Sequence, residues 1–184
     1  MIAGLNEIGT PKRNVALVFG TDGTIAGSYL KRHHIPGLED GYSIGETELL
    51  VSRAGAPWGV AICKDLDFPA LGRRYASLGV GLMLVPAWDF VADAWYHERM
   101  AAVRAVESGF ALARSARQGL LTLRDDRGRL LAVTRSDAAP VATVTGMVKV
   151  RHDATVYARS GDWFAWLNVM ATVAVLGRLV RGKA

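Results

Sequence analysis

Two short apolar runs flank a stretch of helical spacing in the middle of the chain, and this alternation limits the fold more than any other feature. Gly59-Val60-Ala61-Ile62-Cys63 is a brief apolar run bounded by turn residues and predicts a buried strand. Residues 67–79 carry Phe68, Leu71, Tyr75 and Leu78 at helical intervals, and after Gly79 the run Gly81-Leu82-Met83-Leu84-Val85 predicts a second buried strand. From about 93 to 108 the spacing is helical again, with Trp95, Met100, Val103 and Val106 offered to an apolar face and Glu98, Arg99, Arg104 and Glu107 interspersed. Strands alternating with helices imply an α/β core.

Hairpins extend that core on both sides. Residues 14–19 predict a strand, Gly20-Thr21-Asp22-Gly23 a tight turn, and 24–30 a second strand. Residues 31–46 lack periodicity and read as a loop; a strand near 47–52 and a turn running from Arg53 to Gly59 follow. Beyond the second helix, strands are expected at about 109–114, 119–123, 129–134 and 141–146, separated by Asp125-Asp126-Arg127-Gly128 and Ala139-Pro140. No internal repeat or low-complexity tract interrupts the pattern.

At 184 residues with 51% hydrophobic and 21% charged residues, the chain has ordinary globular usage, enough for one sizeable core. The net charge of +5 does not point to nucleic acid, because Lys and Arg are scattered rather than gathered into a stripe. One cysteine allows no internal disulfide, no Cys/His grouping has metal-ligand spacing, and no cofactor motif is present. The N-terminal residues lack the basic and apolar regions of a signal peptide.

The chain divides at about residue 160. From Trp163 to Val180 it is apolar apart from Asn168, Thr172 and Arg178, long enough for a transmembrane or anchoring helix. Arg178, Arg181 and Lys183 beyond it predict a cytoplasmic C-terminus, which puts residues 1–160 on the extracytoplasmic side of the inner membrane.

Cys63 stands at a strand end, where α/β folds open onto ligand crevices; spacing alone leaves packing and chemistry both open. Its context is more specific. Gly59 to Pro69, with an acidic residue two positions after Cys63 and Phe68-Pro69 at five and six, resembles the nucleophile motif of the nitrilase (carbon-nitrogen hydrolase) superfamily. Tyr29-Leu30-Lys31-Arg32-His33-His34-Ile35-Pro36 resembles its lysine motif, with Glu39 placed as in the apolipoprotein N-acyltransferase branch. His97 to Gly109, and Tyr157 to Trp163 before the last apolar run, are similar to later segments of that branch.

The resemblance implies a nitrilase-like α-β-β-α sandwich, N-terminally truncated, in residues 1–160, with a membrane segment in 161–184. It implies a Cys63 thiolate that attacks an acyl carbonyl and holds the acyl group as a thioester. Lys31 would favour the thiolate and stabilise the oxyanion together with backbone N–H groups near Lys64, and Glu39 would hold a proton, orient Lys31, or simply pair with Arg32. The adjacent His33 and His34 read as structural, and Arg104 with Glu107 as a scaffold ion pair. The implied partners are a phospholipid acyl donor, a lipoprotein acceptor and the membrane.

Some features depart from the family pattern. The family's general-base Glu belongs to an earlier strand–helix unit, and Glu7 stands in no matching motif, so the expected triad is incomplete. Lys64 replaces an aromatic residue, and Gly37-Leu38 replaces Phe-Gly. A chain lacking the first strands is expected to associate through an exposed sheet edge. Three functions therefore compete: lipoprotein N-acyl transfer, hydrolysis by a membrane-anchored amidase, and an inactive remnant or scaffold.

Overall fold

A computed structural model describes residues 1–52 and 54–182; Arg53 of the expected turn and Lys183 of the basic tail lie outside the described residues. Three strands, β1 (Ile2–Glu7), β2 (Arg13–Phe19) and β3 (Ile25–Leu30), form an antiparallel sheet in chain order. The β2–β3 hairpin turns at residues 20–23 as its Gly and Asp predict, with Gly23 at φ +80°. β1, which periodicity did not suggest, pairs along its whole length with β2.

The second sheet has six strands in the order β4 (Leu49–Val51), β5 (Trp58–Val60), β6 (Leu82–Trp88), β7 (Ala111–Arg117), β8 (Leu120–Arg124) and β9 (Leu130–Arg135). β5, β6 and β7 run parallel, each crossover made by one helix, α1 (Pro69–Ser77) or α2 (Ala94–Ser108); the outer pairings are antiparallel. The sheets face one another across Ala16, Val18, Tyr29, Val60 and Ile62. β1 crosses β6 so closely that a Cβ on Gly4 would lie 2.7 Å from Pro86. The second core, around Leu71, Tyr75, Met83, Phe110 and Leu112, fills the space under the helices. These elements make one helical layer and both sheet layers of the expected sandwich.

Two expectations are overturned. The expected apolar face of α2 is largely solvent-facing: Trp95, Val103 and Val106 are exposed, while Ala94, Ala101, Ala102, Ala105 and Ser108 are buried with Glu98 and Arg104. The cause is close packing. A Cβ on Gly72 of α1 would meet Ser108 at 2.7 Å and Arg104 at 3.1 Å, so this face admits only small residues and charges that are paired. Glu98 meets Arg124, and Arg104 meets Glu107 and the Leu66 carbonyl.

Residues 141–146 form no strand. A Cβ on Gly146 would touch Leu123 and Ala132, which are cross-strand partners. The segment therefore lies over the face of β8 and β9 instead of along an edge, where its N–H groups would find ladder partners. Residues 142–146 help wall a second cavity of about 1,090 Å³, bounded by β6, β7 and β8 on one side and by Ile2, Gly4 and Val18 of the three-stranded sheet on the other.

A short helix α3 (Val156–Ser160), capped by the Thr155 hydroxyl, leads into α4 (Trp163–Arg181). α4 is long and apolar enough to cross a membrane, and none of its apolar window is buried. Its 19 residues span about 28 Å, close to a bilayer's hydrocarbon thickness. Its interior polar side chains bond within the helix: Asn168 donates to the Phe164 carbonyl at 2.7 Å and Thr172 to that of Asn168 at 2.8 Å. Groups satisfied in this way ask nothing of solvent.

Candidate active site

β5 ends at Val60, three residues before the position that its apolar run suggested, and Cys63 opens a 3-10 helix (Cys63–Asp67). Cys63 adopts φ +46°, a left-handed conformation costly for a side-chain-bearing residue. Asp65, fully buried two residues on, holds that turn: its Oδ2 accepts the Ile62 N–H at 3.0 Å and the Tyr29 hydroxyl at 2.8 Å. Its Oδ1 accepts the backbone N–H groups of Arg32 at 3.2 Å and His33 at 2.8 Å, and meets His33 Nδ1 at 3.0 Å. One carboxylate thus fastens the cysteine turn to the loop after β3. The sequence reading used Asp65 only as a motif position; an acidic residue just past a buried strand was the available signal.

That loop begins with Lys31, whose side chain is 1% exposed. Its Nζ donates to both Glu39 oxygens, at 2.8 and 2.6 Å. Glu39 also accepts Asn14 Nδ2 at 2.7 Å and the Ile35 N–H at 2.8 Å. Burial alone would push the Glu39 carboxyl up, but these donors hold it below its ordinary value, as an anion. Glu39 thus pairs with Lys31 and not with Arg32, which meets Glu48 at 2.7 Å. His33 stacks on Phe68 with ring centroids 3.8 Å apart, whereas His34 turns its ring toward Tyr42.

The opposite wall comes from the ends of β6 and β7. The Cys63 thiol points at the Trp88 carbonyl, 3.7 Å away. Asp89 makes a fully buried two-pronged pair with Arg114 at 2.7 and 2.5 Å, and its N–H donates to the Arg117 carbonyl at 2.9 Å. Gly119 is required there, since a Cβ would lie 2.3 Å from Asp89 Oδ2. Sequence reasoning missed this wall, because residues 25 positions apart carry no local signal of pairing.

Lys31, Glu39, Cys63, Trp88, Arg117 and Gln118 all line one cavity of about 570 Å³, whose remaining lining is mostly apolar. Among the described residues lining it, Glu39 is the only carboxylate; Glu7 pairs at the surface with Arg13. Burial raises the Cys63 thiol above its ordinary value, while Lys31, the Trp88 contact and Arg114 pull the other way. Burial outweighs these groups, so the neutral thiol is favoured over the thiolate at rest. Cys63 and Lys64 occupy the first two positions of the 3-10 helix, where N–H groups lack partners within the helix and suit an oxyanion.

The chain is similar to known proteins in sequence and in fold. The chain is 30% identical over 134 residues to the apolipoprotein N-acyltransferase of Geobacter metallireducens, covering 68% of this chain and 25% of that protein. It is 32% identical over 139 residues to the one of Thermotoga maritima, covering 69% and 26%. The chain thus spans about a quarter of the length of these curated relatives. In fold it is similar to an amidase from Nesterenkonia sp. AN1, with a TM-score of 0.64, 23% identity, and coverage of 73% of this chain and 56% of the amidase. That amidase variant is described as carrying the acetamide moiety of fluoroacetamide covalently added at its active-site cysteine. The carbon-nitrogen hydrolase family model matches residues 2–144, and the chain belongs to the carbon-nitrogen hydrolase family.

Proposed function

We propose that this chain carries the nucleophile and charge clamp of an apolipoprotein N-acyltransferase-like site, which moves an acyl chain from phospholipid to the N-terminal amine of a lipoprotein. The observation that carries this reading is the single cavity shared by Cys63 and the clamped Lys31–Glu39 pair, in a chain that also bears an exposed apolar helix. Cys63 is the nucleophile: its thiolate attacks the ester carbonyl, and collapse of the tetrahedral adduct expels the lysophospholipid alkoxide, which takes up a proton. The acceptor amine then attacks the thioester, loses a proton and releases the thiol. Lys31 and the backbone N–H groups at Cys63 and Lys64 stabilise the oxyanion of both steps, and Glu39 keeps Lys31 charged and aimed.

On this reading Glu39 is not the proton acceptor for Cys63, because its carboxylate is already engaged by four hydrogen bonds from Lys31, Asn14 and Ile35. Residues 161–184 act as the anchor, with Arg178, Arg181 and Lys183 on the cytoplasmic side and residues 1–160 outside.

A second reading, an amidase that resolves the same acyl-enzyme with water, is favoured by the likeness to the Nesterenkonia amidase. Intact-mass measurement after incubation with phospholipid separates the two. Acyl mass gained on Cys63, absent in Cys63→Ala and discharged by an N-terminal cysteine peptide, is the expected result. Discharge by water alone favours the amidase, and no acyl mass on Cys63 in the native gene product refutes the transferase.

A further inference from the structure

Among the described residues, Cys63 and Gln118 are the two non-glycine residues with positive φ, and both line the same cavity. Strained backbone of this kind collects at functional sites. Gln118, at φ +54°, accepts the Trp88 indole N–H through its Oε1 at 2.9 Å. Trp88 in turn supports Arg117, whose guanidinium lies 4.4 Å from the ring centroid. The buried Asp89–Arg114 pair braces this turn from below, with Asp89 N–H on the Arg117 carbonyl. A half-exposed tryptophan, a strained turn and a buried ion pair thus fix one cation at the cavity wall.

The charge balance of the cavity gives that cation a purpose. Its charged lining residues, among those described, are Lys31, Glu39 and Arg117. Lys31 is neutralised by Glu39, whereas no described carboxylate pairs with Arg117. Around it the lining is apolar, from Leu5, Ile35, Leu38, Pro86 and Phe90. An acyl chain fits such a lining, and an anionic group beside the reacting carbonyl fits the planar guanidinium, which presents paired N–H donors to phosphate or carboxylate oxygens.

We propose that Arg117, laid on Trp88, is the recognition point for an anionic group, phosphate or carboxylate, carried by the acyl donor. The inference rests on the acyl-enzyme chemistry of Cys63 proposed above and adds the residue that selects the donor.

The test uses the whole chain in detergent micelles and follows the rate at which Cys63 gains acyl mass from two matched pairs of donors. Phosphatidylglycerol is compared with diacylglycerol of the same chains, and glutaramate with butyramide. Wild type is expected to prefer the anionic member of one pair by about 10-fold or more, the scale of a charged hydrogen bond, and that pair identifies the source of the anion. R117Q is expected to abolish most of the preference and R117K to retain part of it. Equal preference in R117Q and wild type overturns the inference, as does acylation of Cys63 without preference in either pair. No adduct from any of the four donors overturns the acyl-enzyme reading itself, and the inference with it.

Discussion

The α/β sandwich and the C-terminal helix arrange polar and apolar groups in opposite ways. In the sandwich Lys31, Asp65, Asp89, Glu98 and Arg114 are buried, each with a partner of opposite charge or several hydrogen bonds. In α4 Leu167, Val173, Leu176 and Val180 stand half-exposed or more. Burying charge is costly unless it is paired, and exposing an apolar stripe to water is costly unless water is not its surroundings. Most of the buried charges lie at the wall around Cys63, where they hold a strained turn, and α4 presents the surface that a bilayer would cover. The contrast separates what positions the site from a helix long and apolar enough to cross a membrane.

The largest test of this contrast is Asp65→Ala. It leaves the Tyr29 hydroxyl and the N–H groups of Ile62, Arg32 and His33 without their acceptor, and should lower stability by about 3–5 kcal/mol, read as a shift in the urea midpoint of tryptophan fluorescence. Tyr29→Phe, which removes one of those bonds, should cost only about 1 kcal/mol. If the two variants unfolded alike, Asp65 would not be the hub of the site.

Val173→Lys tests the other region. A lysine at the middle of α4 should weaken membrane insertion by about 2.5–3.5 kcal/mol while leaving the unfolding midpoint of the sandwich unchanged. Flotation with liposomes measures the first, and fluorescence the second. A fall in sandwich stability would show that α4 packs on protein.

Lys31→Met removes the cation that opposes the burial of Cys63. Only the thiolate alkylates, so the pH–rate profile for iodoacetamide should move to higher pH, slowing the reaction at neutral pH by roughly 10-fold or more. An unmoved profile would break the link between the two residues. Acid tests the same pair. Since the folded Glu39 titrates below its ordinary value of 4.5, its contribution to stability is complete above that value and is lost as pH falls through the lower, folded one. The unfolding midpoint should therefore drop only as the buffer falls below pH 4.5, and Glu39→Gln should flatten that slope.

The smallest effect is expected at Arg135→Ala. Its pair with Asp137 lies on the open surface, so no change in the unfolding midpoint should be measurable. A clear loss there would undermine the distinction between buried and surface charge.

Much of this was legible from residue patterns alone. The β2–β3 hairpin, the strand–helix–strand unit around Cys63 and the boundaries of α4 follow from turn residues and from apolar runs of the right length, which are local signals. Lys31 and Cys63 were named as a pair through their motifs, and they line one cavity. Besides β1, three features were not legible. The face of α2 was misjudged because helix spacing reports amphipathicity but not how near the neighbour lies, and here Gly72 brings α1 close enough to select alanines. Residues 141–146 have strand-like composition yet cross a sheet face. The wall of Trp88, Asp89, Arg114 and Gln118 joins residues from separate strand ends.

The amino-acid sequence by itself determined the alternation of strands and helices from β2 to β9, the family, the nucleophile candidate and the presence of one helix able to span a membrane, because each depends on residues close together in the chain. Only the tertiary structure decided that Asp65 ties the cysteine turn to the lysine loop, that Glu39 takes Lys31 rather than Arg32, and that Arg117 is, among the described residues, the cavity's charge without an opposite partner. Those outcomes depend on which charges meet once parallel strands bring distant ends together, where burial makes every unpaired charge costly and so dictates the pairing.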